Sequence, residues 1–366
     1  MSDIVRPRLR DLGVDLSEHL PTGPHNAITD VPGVRVGHVT LPPGSDRTIR
    51  TGVTAILPHR GNLYEENVHA AVYTLNGFGR ATGFEQIRET GVIEAPILLT
   101  NTLSVGAVFD AAVRWMLLRN PRIGDDGPSV SVVVGECNDS YLNDMRGLHI
   151  QREHVWEAID NAADGPVTEG AVGAGAGSAC FQFKGGIGTA SRVIPDDCGR
   201  YTVGALVQTN TGLRKQLRVL GARVGRHLVK DDDNLLGKPP KTPPGSIMIV
   251  IATDAPALPY QLARMARRAP FALGRVGSTC ESGSGDFAIA FSTTPRLPAQ
   301  PKQPHARLEV LMNDAKVLTA LFTATVEAIE EAVLNALCKA ETTVGRDGHT
   351  LRAIPIDRLK ELLGLV

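Results

Sequence analysis

The chain is predicted to fold as an α+β protein, a layered sandwich of sheets and helices. Two observations lead there. Strand-like segments outnumber helical ones, and the two kinds do not alternate as a doubly wound α/β sheet requires. Glycine (38) and proline (24) are abundant while aromatic residues make up only 4%. That composition predicts many tight turns and close approaches of backbone.

Taken in order, residues 1–27 are polar and turn-rich and read as an arm or a lid. Residues 28–40 alternate β-branched and turn residues, as paired strands do, and 51–57 form another strand. A third, 70–75, ends in Asn76-Gly-Phe-Gly79, a turn expected to need positive φ. A short helix is predicted over 81–90, a strand over 95–100 and a buried helix over 104–118, where apolar residues recur at helical spacing. A strand over 129–134 and a helix over 154–163 follow, then strand-like 180–183, a turn at 184–188 and a strand over 201–208. Residues 226–245 are the most linker-like stretch, with Lys230-Asp-Asp-Asp-Asn234 and four prolines within 239–244. Beyond them lie a strand from Ser246, an amphipathic helix over 258–268, a strand over 286–292, a long apolar helix over 315–340 and a closing helix over 356–363.

Composition sets bounds on function. A length of 366 residues allows one large domain or two. Lysine plus arginine (38) balance aspartate plus glutamate (39), so the net charge of −1 gives no electrostatic reason for nucleic acid or an anionic membrane. The five cysteines (137, 180, 198, 280, 338) have no CxxC spacing, and the ten histidines form no HxH or HExxH cluster. Neither structural zinc nor a disulfide framework is indicated. No segment approaches 18 uncharged apolar residues, and the N-terminus lacks an apolar signal region. A cytoplasmic location is expected.

The stretch with most chemical content is Lys241-Thr-Pro-Pro-Gly-Ser246, which runs directly into the apolar Ile-Met-Ile-Val-Ile-Ala252. It reads as a loop entering a buried strand. If the Gly245–Ser246 bond were cut, Ser246 would carry a hydroxyl nucleophile and an α-amine of pKa about 8 on one residue. Gly135-Glu136-Cys-Asn-Asp-Ser-Tyr141-Leu-Asn-Asp144 is either a capped loop or a site, since functional groups gather at strand ends. In Gln208-Thr-Asn210-Thr-Gly212, Asn210 is either a turn residue or an amide that donates to an oxyanion. Ser284 and Asp286 lie two apart in Cys280-Glu-Ser-Gly-Ser-Gly-Asp286, which is either a flexible turn or an aligned hydroxyl–carboxylate pair. Asp254 caps a turn or acts in chemistry. The glycine-rich 173–177 lacks the strand before and helix after that a dinucleotide site needs, so close backbone packing is expected instead.

In this order, these segments resemble the L-aminopeptidase D-esterase/amidases and β-peptidyl aminopeptidases, self-processing serine N-terminal-nucleophile hydrolases. The resemblance covers nearly the whole chain, including Ile28-Thr-Asp-Val-Pro-Gly-Val-Arg-Val-Gly-His38, Thr100-Asn-Thr-Leu-Ser-Val-Gly106, Phe183-Lys-Gly-Gly-Ile-Gly188 and Gly283-Ser-Gly-Asp-Phe287. It implies one domain over 1–366, a four-layered α/β/β/α sandwich of the N-terminal-nucleophile type, shared with ornithine acetyltransferases. It also implies self-cleavage into an α-chain, 1–245, and a β-chain, 246–366, usually as a homotetramer of such heterodimers. Carried over residue by residue, Ser246 is nucleophile and cleavage residue, and Asn210 is the oxyanion donor. Tyr141 lines the site, Ser284 and Asp286 position the Ser246 amine, and Glu136 binds the substrate's ammonium group. No metal or organic cofactor is implied; the partner is a short peptide, amino-acid amide or ester. Two departures stand out: aspartate rather than glutamate at 286, and Cys137 and Ser140 where many relatives have Thr and Gly. Both bear on preference for β-peptides more than on the chemistry. The alternatives are an acyltransferase or amide-oligomer hydrolase of the threonine-nucleophile type, which a serine at 246 opposes, and an uncleaved amine-binding protein.

Overall fold

The computed structural model describes residues 6–16, 18–44, 48–229 and 245–366. The fold is α+β with mixed sheets. Among the described residues one sheet has the order β1 (Arg35–Thr40), β2 (Gly52–Leu57), β5 (Ile97–Asn101), β6 (Val133–Cys137). The larger sheet runs β4 (Val92–Ile93), β3 (Glu66–Gly77), β12 (Gly285–Pro298), β11 (Ile247–Thr253), β10 (Thr202–Thr209), β9 (Ile187–Val193). Pairs β5–β6 and β11–β12 are parallel and the remaining neighbours antiparallel. Helices supply the crossovers that parallel neighbours require. They are α2 (Val105–Arg119) between β5 and β6, and the pair α5 (Pro259–Ala266) and α6 (Ala269–Val276) between β11 and β12. The other helices are α1 (Phe84–Thr90), α3 (Arg152–Asp160), α4 (Val224–Leu228), α7 (Ala315–Lys339) and α8 (Ile356–Leu362).

Strand β11 shows why its sequence is apolar without alternation. Ile247, Ile249 and Ile251 enter the core shared with α5, α6 and α7, while Met248, Val250 and Ala252 enter a second core that includes Val133 and Ile56 of the smaller sheet. Both faces of the strand are covered, so both need apolar side chains. A third core joins the far face of the smaller sheet to α2 and α3. Helix α7 begins at Asp314, whose carboxylate accepts from Lys316 and Val317 N–H. Its buried Glu327 and Glu331 are held by the fully buried Arg192 of β9 at 3.0 and 2.7 Å.

Several boundaries differ from expectation. The described part of the N-terminal segment is an anchored arm rather than a lid: Leu9 and Leu12 are buried, and Leu9 N–H donates to Asn335 of α7 at 2.9 Å. None of residues 76–79 has positive φ. Gly79 serves close packing instead, since a Cβ there would lie 2.8 Å from the Phe287 ring and 3.1 Å from Gly285 Cα. The strand expected over 129–134 starts at Val133 and continues through Glu136 and Cys137, because β5 pairs with it from Ile97 to Asn101. The helix expected over 258–268 is α5, and a second helix that was not expected, α6, follows it directly. Of the predicted linker, residues 226–228 belong to α4 and 230–244 lie outside the described residues. Asp254 ties strand ends together instead of capping the next turn: its carboxylate accepts from Thr202 N–H at the start of β10 at 2.7 Å. Among the described residues no helix is long and apolar enough to cross a membrane.

Strand directions gather one end of the larger sheet. There β11 and β12 begin while their antiparallel neighbours β10 and β3 finish, with Ile247 paired to Thr209 on one side and Asp286 on the other. Ser246, Asn210, Asp286 and Asn76 therefore converge from segments far apart in sequence.

Candidate active site

Ser246 immediately precedes β11 and is buried. Its carbonyl accepts from Asn210 N–H at 2.9 Å, and its Oγ accepts from Gly285 N–H at 3.3 Å. The residue before it has little room for a side chain: a Cβ on Gly245 would lie 3.2 Å from Ser284 Cα. The Gly245–Ser246 junction is thus pressed against the start of β12.

Ser284 and Asp286 form the aligned pair that was one of two readings of their stretch. Ser284 Oγ donates to Asp286 Oδ1 at 2.6 Å, and Asn76 Nδ2 donates to Oδ2 at 3.0 Å. The same Asn76 amide donates to the Cys280 carbonyl at 2.9 Å. Burial pushes the Asp286 carboxyl above its ordinary range, opposed by the hydrogen bonds from Ser284 and Asn76. With its hydroxyl proton committed to Asp286, Ser284 keeps lone pairs to accept from a neighbouring amine.

Asn210 follows β10. Its Oδ1 accepts from Ala179 N–H at 3.3 Å, so the opposite end of the amide, the NH2, is the donor end available to a reacting oxygen. Glu136 projects from β6 and is buried. Its carboxylate accepts from Arg80 N–H at 2.9 Å and from the Thr102 hydroxyl, yet burial holds its pKa above the ordinary 4.5. Gly79 separates this carboxylate from the start of β12: a Cβ there would lie 3.3 Å from Glu136 Oε1 as well as against Gly285.

Tyr141 reaches Asn210 by way of Ala179, whose N–H donates to Asn210 Oδ1. It packs with Leu142, Ala179 and Leu351, and its ring stacks on His349 with centroids 4.6 Å apart. His349 Nδ1 lies 2.8 Å from the Tyr141 carbonyl oxygen, and burial raises the phenol's pKa. The structure therefore brings Ser246, Asn210, Ser284 and Asp286 into one linked set. Glu136 approaches through Gly79, and Tyr141 through Ala179. Cys137 is fully buried, its thiol pushed well above 9 by burial, and it donates to the Gln208 carbonyl. A cleft of about 500 Å³ lined by Arg8, Glu169 and Lys339 contains none of these residues.

Sequence reasoning missed four contributors. Asn76 was read only as a turn residue, Thr102 was quoted within a motif without a role, and Gly285 and Ala179 act through backbone N–H groups that residue type does not reveal. A lone Asn at a strand end, on the strand next to an acid, becomes informative only once the pairing of β3 with β12 is known.

A hydroxyl at the start of a core strand, an oriented amide beside it and a hydroxyl–carboxylate pair behind it define a class: hydrolases acting through a serine at a strand's N-terminal end. The chain belongs to peptidase family S58, whose family model matches residues 26–351. It is 42% identical over 372 residues to beta-peptidyl aminopeptidase BapA of Sphingosinicella microcystinivorans, covering 98% of this chain and 92% of that protein. Among solved structures it resembles a Burkholderia sp. beta-aminopeptidase, with a TM-score of 0.90, 44% identity and 98% of each chain covered. It also resembles the L-aminopeptidase D-Ala-esterase/amidase of Ochrobactrum anthropi, a serine aminopeptidase with a variant of the Ntn hydrolase fold. That match has a TM-score of 0.89, 40% identity and 98% of each chain covered.

Proposed function

We propose that this chain is a serine aminopeptidase/amidase that activates itself by cutting the Gly245–Ser246 bond. The reading rests above all on the convergence of Ser246, Asn210 and the Ser284–Asp286 pair at one sheet end. Three separate cores support a four-layered α/β/β/α arrangement of the kind shared with ornithine acetyltransferases. The products of cleavage are an α-chain of 1–245 and a β-chain of 246–366 that remain packed as one domain, assembled as a homotetramer of such pairs in the cytoplasm.

In self-cleavage, Ser246 Oγ attacks the Gly245 carbonyl and the acyl group moves from nitrogen to oxygen. Water then hydrolyses the ester, leaving a carboxylate on Gly245 and an amine on Ser246. In turnover that amine takes the Oγ proton while Oγ attacks the carbonyl of the substrate's N-terminal residue. The Asn210 NH2 donates to the developing oxyanion, and Tyr141 lines the site nearby. The proton passes to the leaving amine, and water releases the acyl group from Ser246. Ser284, its own proton held by Asp286, accepts from the Ser246 amine and orients it. Glu136 pairs with the free ammonium of the substrate and so selects unblocked N-termini.

Compared on matched aminoacyl p-nitroanilides, a free N-terminus should be turned over and its N-acetylated counterpart should not. Equal turnover of the two would refute the aminopeptidase reading. Serine at 246 favours this function over the threonine-nucleophile acyltransferases and amide-oligomer hydrolases.

A further inference from the structure

Lys184 lies in β8 (Phe183–Lys184), fully buried, and the reaction as described does not use it. Its ammonium faces backbone instead of a carboxylate: Nζ donates to the carbonyls of Gly175 (3.0 Å), Ser178 (2.9 Å) and Gly185 (2.6 Å). Three acceptors use all three protons and favour the charged form. Burial works against it, pushing the pKa down to about 7; the Asp139 carboxylate and Cys180 favour the charge and Arg50 opposes it. An ammonium in so dry a place is tolerated only where hydrogen bonds satisfy it, as these three carbonyls do.

The Ser178 carbonyl is one end of a planar peptide unit whose other end is Ala179 N–H. That N–H is the donor to Asn210 Oδ1 at 3.3 Å. A single peptide thus carries the Lys184 ammonium on its oxygen and Asn210 on its nitrogen. A cation on the oxygen makes the N–H a stronger donor, and a stronger bond to Oδ1 makes the Asn210 NH2 a stronger donor in turn. The pairing of β7 (Ala179–Cys180) with β8 sets Lys184 opposite Ala179, across a turn in which Phe181 and Gln182 have φ of 49° and 61°. Gly185 N–H also donates to the Ser178 carbonyl at 3.0 Å. The peptide therefore keeps a tether without the lysine, and what Lys184 adds is charge.

We propose that Lys184 is a positioning residue for the reaction, orienting and polarising the Asn210 amide through the Ser178–Ala179 peptide. The proposal rests on Asn210 being the oxyanion donor. Its consequence is that Lys184 and Asn210 act as one unit, so their losses should not multiply.

The test uses the full chain as Lys184→Met, Lys184→Gln, Asn210→Ala and the double variant Lys184→Met/Asn210→Ala. Each is assayed on an aminoacyl p-nitroanilide, with kcat expressed per cleaved chain from intact mass and folding checked by thermal melting. Asn210→Ala should lose about 10²–10³ in kcat. Lys184→Met should lose roughly tenfold in kcat with KM within about twofold, as should Lys184→Gln, which can still donate to two carbonyls but lacks charge. In the Asn210→Ala background, Lys184→Met should cost less than about twofold more. Unchanged kcat in Asn210→Ala would remove the oxyanion assignment itself. A normal Asn210→Ala loss beside a folded Lys184 variant with wild-type kcat, or losses that multiply in the double variant, would overturn only the role given to Lys184. Failure of both Lys184 variants to fold would make the lysine a structural tie and overturn it equally.

Discussion

Replacing Asp286 by asparagine tests whether the acid at the start of β12 sets the polarity of the hydroxyl beside Ser246. In the native arrangement Oδ1 accepts from Ser284 at 2.6 Å and Oδ2 from Asn76 at 3.0 Å, so both oxygens are acceptors. An asparagine offers one acceptor and one donor. Asn76 presents an NH2, so the new oxygen must turn toward it and the new NH2 toward Ser284. Ser284 then accepts where it formerly donated, and its proton is released toward Ser246. The Ser246 amine would face a donor and lose the partner that orients it. Hydrogen bonds to a charged group contribute about 1.5–3 kcal/mol. At 1.36 kcal/mol per decade this corresponds to a loss of about 10–10² in kcat. Size and shape are almost unchanged, and the variant loses a buried carboxylate that burial already disfavours, so melting should not fall. The assay is kcat on an aminoacyl p-nitroanilide per cleaved chain, beside thermal melting. A folded Asp286→Asn enzyme with kcat within about twofold of wild type would refute the polarity argument.

Four further outcomes follow from the same geometry. Glu136→Gln removes the charge offered to the substrate's ammonium, so KM for free aminoacyl amides should rise about tenfold or more while kcat changes less, measured by steady-state kinetics. Because burial raises the Glu136 pKa above 4.5, the ionised form is lost as pH falls through that raised value. The acid limb of log kcat/KM should therefore steepen from slope one, set by the Ser246 amine, toward slope two above pH 4.5, and Glu136→Gln should abolish the second break. Gly79→Ala places a methyl 2.8 Å from Phe287 and 3.3 Å from Glu136 Oε1. It should cost about 1–3 kcal/mol of stability and raise KM. Gly106→Ala, within α2 and with nothing within 4 Å, should leave activity intact in the same measurements.

The chain's sequence was most legible where one strand carries its own signal. The apolar run after Ser246 marks β11 because both of its faces meet cores. Spacing put Ser284 and Asp286 on one side of an extended chain but left a flexible turn equally open, and only the resemblance to a known family chose between them. Legibility failed where a residue's role depends on a partner in another strand. Gly79 looks like a turn glycine until β12 is laid against β3, and Glu136 looks like a loop residue until β5 extends the pairing of β6. Asn76 and Lys184 carry no local signal, because one holds an acid 210 positions away and the other acts on backbone carbonyls.

The central claim is that Ser246 gains its catalytic amine by cleavage of the bond before it. Intact mass under denaturing conditions, wild type beside Ser246→Ala, tests it most directly. The account predicts two fragments in the wild type, split between Gly245 and Ser246, and one uncut chain in the variant. A wild type that hydrolyses aminoacyl amides as a single uncut chain would contradict it.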